Sequence, residues 1–233
     1  MASWDSADIL AIVKQLTGRT GTDSITDALW YGRISRAQNQ VVADIAAICP
    51  HVLYPTAAYA SLPQLTLASG NQTATFGTDG EGYAKFPMGH GNIFQNLQDI
   101  PNAPFVDYMN EGTQIRALNN GTLPATLYWY GISQPDDINA TDQPAIKPEP
   151  ARELISLRTA YNFGLEGNRN VALSQSMAAE YGYPLHSTKP GRFAWWAVTF
   201  KTQYANGHGV SWTGRQLAIA GYGGQYGQSA WAT

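Results

Sequence analysis

The chain has 233 residues, which is enough to bury a sizeable core in one large domain or two small ones. Charged residues make up only 13% of it, against roughly 25% in a typical globular domain, so much of its surface is uncharged and suits contact with copies or partners. The single cysteine, Cys49, excludes an intrachain disulfide framework and a thiolate-rich metal site.

The amino-terminal segment lacks the basic and apolar stretches of a secretion signal, and no segment approaches the roughly 20 apolar residues of a membrane span. We therefore expect a soluble protein that is made in a cytoplasm and has no membrane partner. Its net charge is −3 and its basic residues form no dense cluster, so the composition also disfavours nucleic-acid binding.

A short helix is predicted at the start of the chain. Asp5 or Ser6 caps it, and Gly18 ends it in a position where helices favour glycine. With the helix that follows, it is expected to form an antiparallel helix pair over residues 1–54.

The second helix is predicted over Asp23 to Cys49, with Asp23 or Ser24 as its N-cap and Pro50 as its stop. It has the longest unbroken helical period in the chain, so we expect the fold to be organised around it. Its apolar stripe consists of Trp30, Ile34, Ala37, Val41, Ile45 and Ile48, and its polar face carries Arg33, Arg36, Gln40 and Asp44.

Residues 55–147 have strand character and are predicted to form a β-rich insertion. Leu65–Leu67 and Gln72–Phe76 flank one turn signal, while Thr113–Leu118 and Ala125–Tyr130 flank another. A small antiparallel sheet or barrel is the simplest interpretation, and prolines from Pro144 onward form a stiff connector back to helix.

Residues 148–182 are predicted to form a second helix pair. Its first helix carries the apolar positions Leu154, Leu157, Tyr161 and Leu165. Its second helix is capped by Asn168 or Asn170, carries Leu173, Met177 and Tyr181, and stops at Gly182. The predicted fold class is therefore α+β: a helical core built from two helix pairs, with an inserted small sheet or barrel and a carboxy-terminal arm.

The arm, residues 183–233, differs in composition from everything before it. It holds ten aromatic residues and four basic residues but no Asp or Glu, whereas residues 1–182 carry a net charge of −7. Phe193, Trp196, Phe200 and Tyr204 have helical spacing, but the part from Gly207 onward has too little aliphatic content to fold alone. It is either a floppy terminus or an arm that docks on a partner. The interface candidates are Trp195, Trp196, Phe200, Trp212, Arg215, Tyr222, Tyr226 and Trp231.

A search for catalytic chemistry predicts no catalytic residue, cofactor or metal site. The four histidines do not stand at metal-ligand spacing, and the glycine-rich segments lack the lysine of a phosphate-binding loop. A glycosidase needs two carboxylates roughly 5 to 10 Å apart, for which Glu81, Glu111 and Asp137 remain possible donors. The aromatic-rich arm also permits a carbohydrate-binding module of a virion, in which Trp and Tyr stack on sugars.

Five segments, in this order, resemble the head-to-tail adaptor (connector, or head-completion) proteins of tailed bacteriophages. They are ISRAQNQVVADIAAICPHV, TATFGTDGEGYAKFPMGH, MNEGTQIRALNNGTLPATLYWYGISQPDDINATDQPAIKPEPARELI, FGLEGN and RFAWWAVTFKTQY. Together they fall within residues 5–204, and the chain after Tyr204 has no counterpart.

The resemblance implies a non-enzymatic structural protein of the virion, with a helical core and a β insertion. In that family the subunits form a twelve-fold ring beneath the portal in the head-tail neck, extending the DNA channel and providing the platform for the tail. The implied partners are the portal protein, neighbouring adaptor subunits, and tail or nozzle proteins, while DNA only passes through the channel. The implied place of synthesis is the cytoplasm of a bacterial host.

The arm generates the first testable prediction. Deleting residues 207–233 should leave the thermal melt of the helical body unchanged, as followed by circular dichroism, because this segment is not expected to contribute to the core. The same deletion should sharply weaken co-sedimentation with portal rings, because buried aromatic anchors contribute about 1 to 2 kcal/mol or more each. If the shortened protein binds portal rings as strongly as the full chain, residues 207–233 do not contribute to docking. If its melting temperature is lower, these residues are part of the core.

Overall fold

A computed structural model of the chain describes residues 4–19, 25–53, 64–67, 73–75, 87–97, 105–110, 114–118, 123–133, 135–166 and 170–208. These residues form a mixed α+β structure, as predicted, with two compact units. The helical unit contains the described residues up to Val52 and from Pro135 onward, and the β unit spans Leu53–Gln134. The chain therefore leaves the helical unit once and returns to it.

The described residues of the helical unit form five α-helices: α1 (Ser6–Leu16), α2 (Asp27–Ala46), α3 (Glu153–Glu166), α4 (Val171–Tyr181) and α5 (Gly191–His208). The predicted caps of α1 and α4 are confirmed, because Asp5 accepts a hydrogen bond from the backbone of Asp8 and Asn170 accepts one from that of Leu173. Helix α2 begins later than predicted, and its N-cap is Thr26. Asp23 and Ser24 lie outside the described residues.

Helix α3, not α2, is the centre of the helical unit. It contacts α1, α2 and α4, and buried side chains surround most of its circumference. The apolar stripe of α2 is buried as predicted and packs against it, with the Trp30 and Phe163 rings 5.0 Å apart. The prediction for Leu165 is wrong: this side chain, in the last turn of α3, is 53% exposed.

A partly buried polar network joins α2, α3 and α4. The Asp44 carboxylate accepts hydrogen bonds from the Arg158 guanidinium at 3.0 Å and from the Tyr181 hydroxyl at 2.7 Å. The Gln40 side-chain oxygen accepts from Arg158 at 3.0 Å and from Asn162 at 2.8 Å. Burial raises the pKa of Asp44, although Tyr181 and Arg158 oppose this shift. The predicted polar face of α2 is thus partly an internal surface.

The connector to α3 is fixed by buried side chains. Gln38 of α2 donates to the Asp136 carbonyl at 3.1 Å and accepts from the Ala145 backbone at 2.9 Å. Arg152, which is 2% exposed, donates to the carbonyls of Ile146 and Trp4, each at 3.0 Å. Residues 135–147, placed with the β insertion by the sequence, therefore belong with the helical unit because their polar groups are satisfied there. A 3₁₀ turn at Glu149–Arg152 leads directly into α3.

The described strands of the β unit form two antiparallel sheets, ordered β1-β7-β3-β4 and β2-β6-β5. The strands are β1 (Gln64–Thr66), β2 (Thr73–Thr75), β3 (Pro87–Phe94), β4 (Phe105–Val106), β5 (Tyr108–Asn110), β6 (Gln114–Ala117) and β7 (Thr126–Ser133). Both sheets contribute to one apolar cluster, in which the Tyr108 and Trp129 rings meet edge to face at 5.8 Å. No closed barrel forms among these strands.

The predicted local pairing of strands is wrong, although most of the predicted strands exist. Strands β1 and β2 do not form a hairpin, because β1 pairs with β7 and β2 with β6. Strands β6 and β7, on either side of Asn119–Gly121, likewise lie in different sheets. Burial of alternate apolar residues, rather than closeness along the chain, selects the partners.

The polar network around Asp44 generates a stability prediction. Asp44→Ala should lower the free energy of unfolding by up to roughly 3 kcal/mol, because it leaves the largely buried Arg158 without its carboxylate. Urea denaturation measures this change. The control is Arg36→Ala, which breaks an ion pair to Glu166 whose side chains are 65% and 43% exposed, and it should cost less than about 1 kcal/mol. Equal losses in the two variants would contradict a structural role for the network.

Candidate interaction surface

Helix α5 confirms the predicted helical spacing, but most of it belongs to the core of the helical unit and not to a separate arm. Phe193, Trp196 and Phe200 are at most 5% exposed. Trp196 donates from its indole nitrogen to the Glu153 carboxylate at 2.7 Å, and Phe193 stacks on Tyr181 at 5.4 Å. Of the three candidates on this helix, Trp196 and Phe200 are therefore buried inside the subunit.

Two glycines fix the position from which α5 starts. Gly182, after α4, has a φ of +84°, and Gly191, the first residue of α5, has a φ of +58°. A Cβ on Gly182 would overlap the Pro190 carbonyl, and one on Gly191 would overlap the backbone of Tyr181 and Gly182. Both positions favour glycine for its conformation and for this close approach, so the loop returns tightly on itself and sets α5 against α4.

The outward side of α5 is the Trp195 face, which we define as Arg192, Trp195, Val198 and Thr202. Trp195 is 58% exposed and Val198 is 48% exposed. The Trp195 ring lies edge to face against the buried Trp196 ring at 4.4 Å, which restrains its orientation. Arg192 contacts Glu180 at 3.4 Å in an exposed ion pair. Such a face, with a large aromatic residue between polar neighbours, is typical of interaction surfaces.

The α2 groove is a second surface feature of the helical unit. Its walls are α2 from Ala28 to Asn39 and the segment Asp137–Ala140, and its volume is about 750 Å³. Ser35, in its floor, accepts a hydrogen bond from the Ile138 backbone at 2.8 Å and so holds the two walls together. A Cβ on Gly32 would meet no atom within 4 Å, so the groove is open above this residue.

Lys201 is a charged residue of the core that the sequence did not predict to be buried. It is 2% exposed, and its amino nitrogen has no hydrogen-bond partner among the described residues. Burial lowers its pKa to about 8, while burial raises the pKa of the nearby Cys49 thiol to about 11. Burial therefore disfavours the charged form of both groups, although Lys201 still carries its proton at neutral pH. Cys49 is fully buried, and Lys201 continues the buried stripe of Phe193, Ala197 and Phe200.

The other candidate residues lie outside the described part of the chain, except for Asp137. Trp212, Arg215, Tyr222, Tyr226 and Trp231 lie outside the described residues, as do the carboxylates Glu81 and Glu111, and Asp137 is exposed beside the α2 groove. Within the described ranges, no group of three or more His, Cys, Asp and Glu side chains is arranged to hold a metal ion. None of the helices in that part of the chain is long and apolar enough to cross a membrane.

No protein-family model matches the sequence, and no curated protein matches it.

The buried amine generates a prediction about pH. The unfolded chain binds a proton on Lys201 up to its ordinary pKa of 10.5, whereas the folded chain releases it near 8, so stability should rise with pH above 8. Cys49 opposes this rise above its ordinary pKa of 9. The free energy of unfolding should thus increase by about 0.5 to 1 kcal/mol between about pH 7 and pH 9.

The variant Lys201→Met should remove that rise and increase stability at neutral pH by up to roughly 3 kcal/mol, because a buried charge is replaced by an apolar chain. Urea denaturation at several pH values measures both effects. Lys189→Met, on an exposed lysine, is the control and should leave the pH dependence unchanged. If the stability of the Lys201→Met protein depends on pH as that of the native chain does, the amine of Lys201 is exposed to solvent.

Proposed function

We propose that this protein is a head-to-tail adaptor of a tailed bacteriophage. Its subunits form a ring that binds the portal, extends the DNA channel and provides the attachment platform for the tail. It acts in the virion neck after synthesis in the bacterial cytoplasm. The proposal gives it no catalytic residue, cofactor or metal.

The observation that carries the proposal is the order of the two units along the chain. The helical unit is built from both sides of a β unit, with α1 and α2 before it and α3, α4 and α5 after it. This interrupted helical unit is the architecture that the five resembling segments imply. The segments also span both units, so the resemblance does not depend on one common motif.

The surface of the helical unit supports a role in assembly. Leu29, Leu165, Val171 and Trp195 are each more than half exposed. The ion pair between Arg36 and Glu166 and the contact between Trp30 and Phe163 bring the start of α2 to the end of α3. Leu29 and Leu165 therefore lie at the same end of the helical unit. Large apolar side chains exposed at one end of a unit favour contact with other protein surfaces.

The charge distribution supports a passive role towards DNA. Residues 1–182 carry a net charge of −7, and the four positive charges after them include the buried Lys201. An acidic channel wall repels phosphate, so packaged DNA can slide through without being gripped. The neighbouring subunits and the portal are the partners that such a protein needs.

The proposal is tested with the purified full chain. Native mass spectrometry and negative-stain electron microscopy should show a closed ring of one size, either alone or after mixing with the portal protein from the same genome. Twelve subunits are expected from the resembling family. A monomer that fails to bind portal and instead retains glycans on an array would contradict the adaptor and favour the carbohydrate-binding module.

A further inference from the structure

The Trp195 face is built as an anchor for a protein contact. Its indole is more than half exposed, yet the buried Trp196 ring beneath it restrains its orientation. Trp196 is in turn hydrogen-bonded to Glu153 of α3. A large aromatic side chain that is already ordered loses little entropy on binding, which is why such residues dominate interface energetics.

The α2 groove has the size and chemistry to receive an indole. Its volume of about 750 Å³ exceeds that of one aromatic side chain, and three of its lining residues, Ala28, Gly32 and Ala140, are small. The Asn39 side-chain oxygen is buried at the groove and has no donor among the described residues. This oxygen has almost no accessible surface, so an N–H group of an occupant reaches it when the amide turns towards the groove, and the pairing then removes the cost of an unsatisfied buried acceptor.

The two surfaces also complement each other in charge. The connector that forms one wall of the groove holds Asp136, Asp137 and Asp142 and has no basic residue between Pro135 and Ile146. Arg36, on the α2 wall, is paired with Glu166. The segment around Trp195 has no acidic residue from Tyr183 onward, and it includes Lys189 and Arg192. Opposite charges at the rim of a contact steer it and fix its orientation.

We propose that the α2 groove of one copy receives Trp195 of the next copy. The exposed Trp195 side chain, the knob of this contact, and the α2 groove occur on the same chain. Every copy can therefore contact one neighbour through its knob and another through its groove. Because the two patches differ, the contact is heterologous, and repetition of such a contact around an axis closes a ring. This inference rests on the proposed function and names the surfaces by which its ring would form.

The experiment uses two engineered cysteines that leave Trp195 in place. Val198→Cys lies one turn from Trp195, and Ala140→Cys lies in the groove wall. Cys49 stays native, because it is fully buried and its pKa is raised. Mild oxidation of the full-length double variant should give a ladder of disulfide-linked oligomers on a non-reducing gel.

Matched variants show whether the ladder depends on the proposed contact. Val171→Cys with Ala140→Cys is the control, because Val171 is 59% exposed but outside the Trp195 face, and it should give no ladder. Trp195→Ala should reduce the cross-linking of the test pair about tenfold or more, whereas Trp195→Phe should reduce it less. Gly32→Trp should block it from the other side without unfolding the subunit, since the space above Gly32 is open. Circular dichroism melts of each variant establish that it is folded.

The outcomes separate the inference from the function on which it rests. One outcome is that native mass spectrometry detects rings although the cysteine pair gives no cross-link and Trp195→Ala and Gly32→Trp have no effect. That result would overturn the inference but would not contradict the adaptor function. Cross-linked dimers without higher species would support the knob-and-groove contact but contradict the ring. A chain that neither cross-links nor assembles would overturn both.

Discussion

The burial of α3 is the constraint on which the helical unit depends. This helix has little surface of its own, because α1, α2 and α4 pack around it. Apolar packing of this kind stabilises strongly but fixes helix register weakly, since many side chains of similar size can exchange places. The hydrogen bonds that Arg158 makes with Asp44 and Gln40 supply the register, because a shift of α2 along α3 would leave buried polar groups without partners.

The same core determines which part of the molecule remains outside. Once α5 has placed Phe193, Trp196 and Phe200 against α3 and α4, Trp195 must point away from them. An exposed tryptophan held by a buried one is therefore a consequence of how α5 docks, and it does not depend on the chain that follows. In this account the surface that joins copies is carried by the core itself, while the aromatic residues beyond α5 remain candidates for the contact with the portal.

The sequence predicted the helices well because their periods and caps are local properties. The stripe of α2 and the caps Asp5 and Asn170 could be identified without the structure. The central position of α3 could not, because a helix buried on several sides has no single apolar stripe to reveal it. The pairing of the short strands could not be predicted either, because each strand pairs with a partner that is distant in the sequence. The burial of Lys201 has a signal in the sequence, because this residue lies eight positions after Phe193 and therefore on the buried side of α5.

The central claim is that this chain forms the ring beneath the portal in a virion neck. A cryo-electron microscopy reconstruction of the neck, from virions of the phage to which the proposal assigns the chain, tests it most directly. The account predicts a ring of density directly below the portal into which the helical unit fits, with α3 inside each subunit and the side of α5 that carries Trp195 against a neighbouring subunit. A neck ring whose density fits another protein, with this chain found elsewhere in the particle or absent from it, would contradict the account.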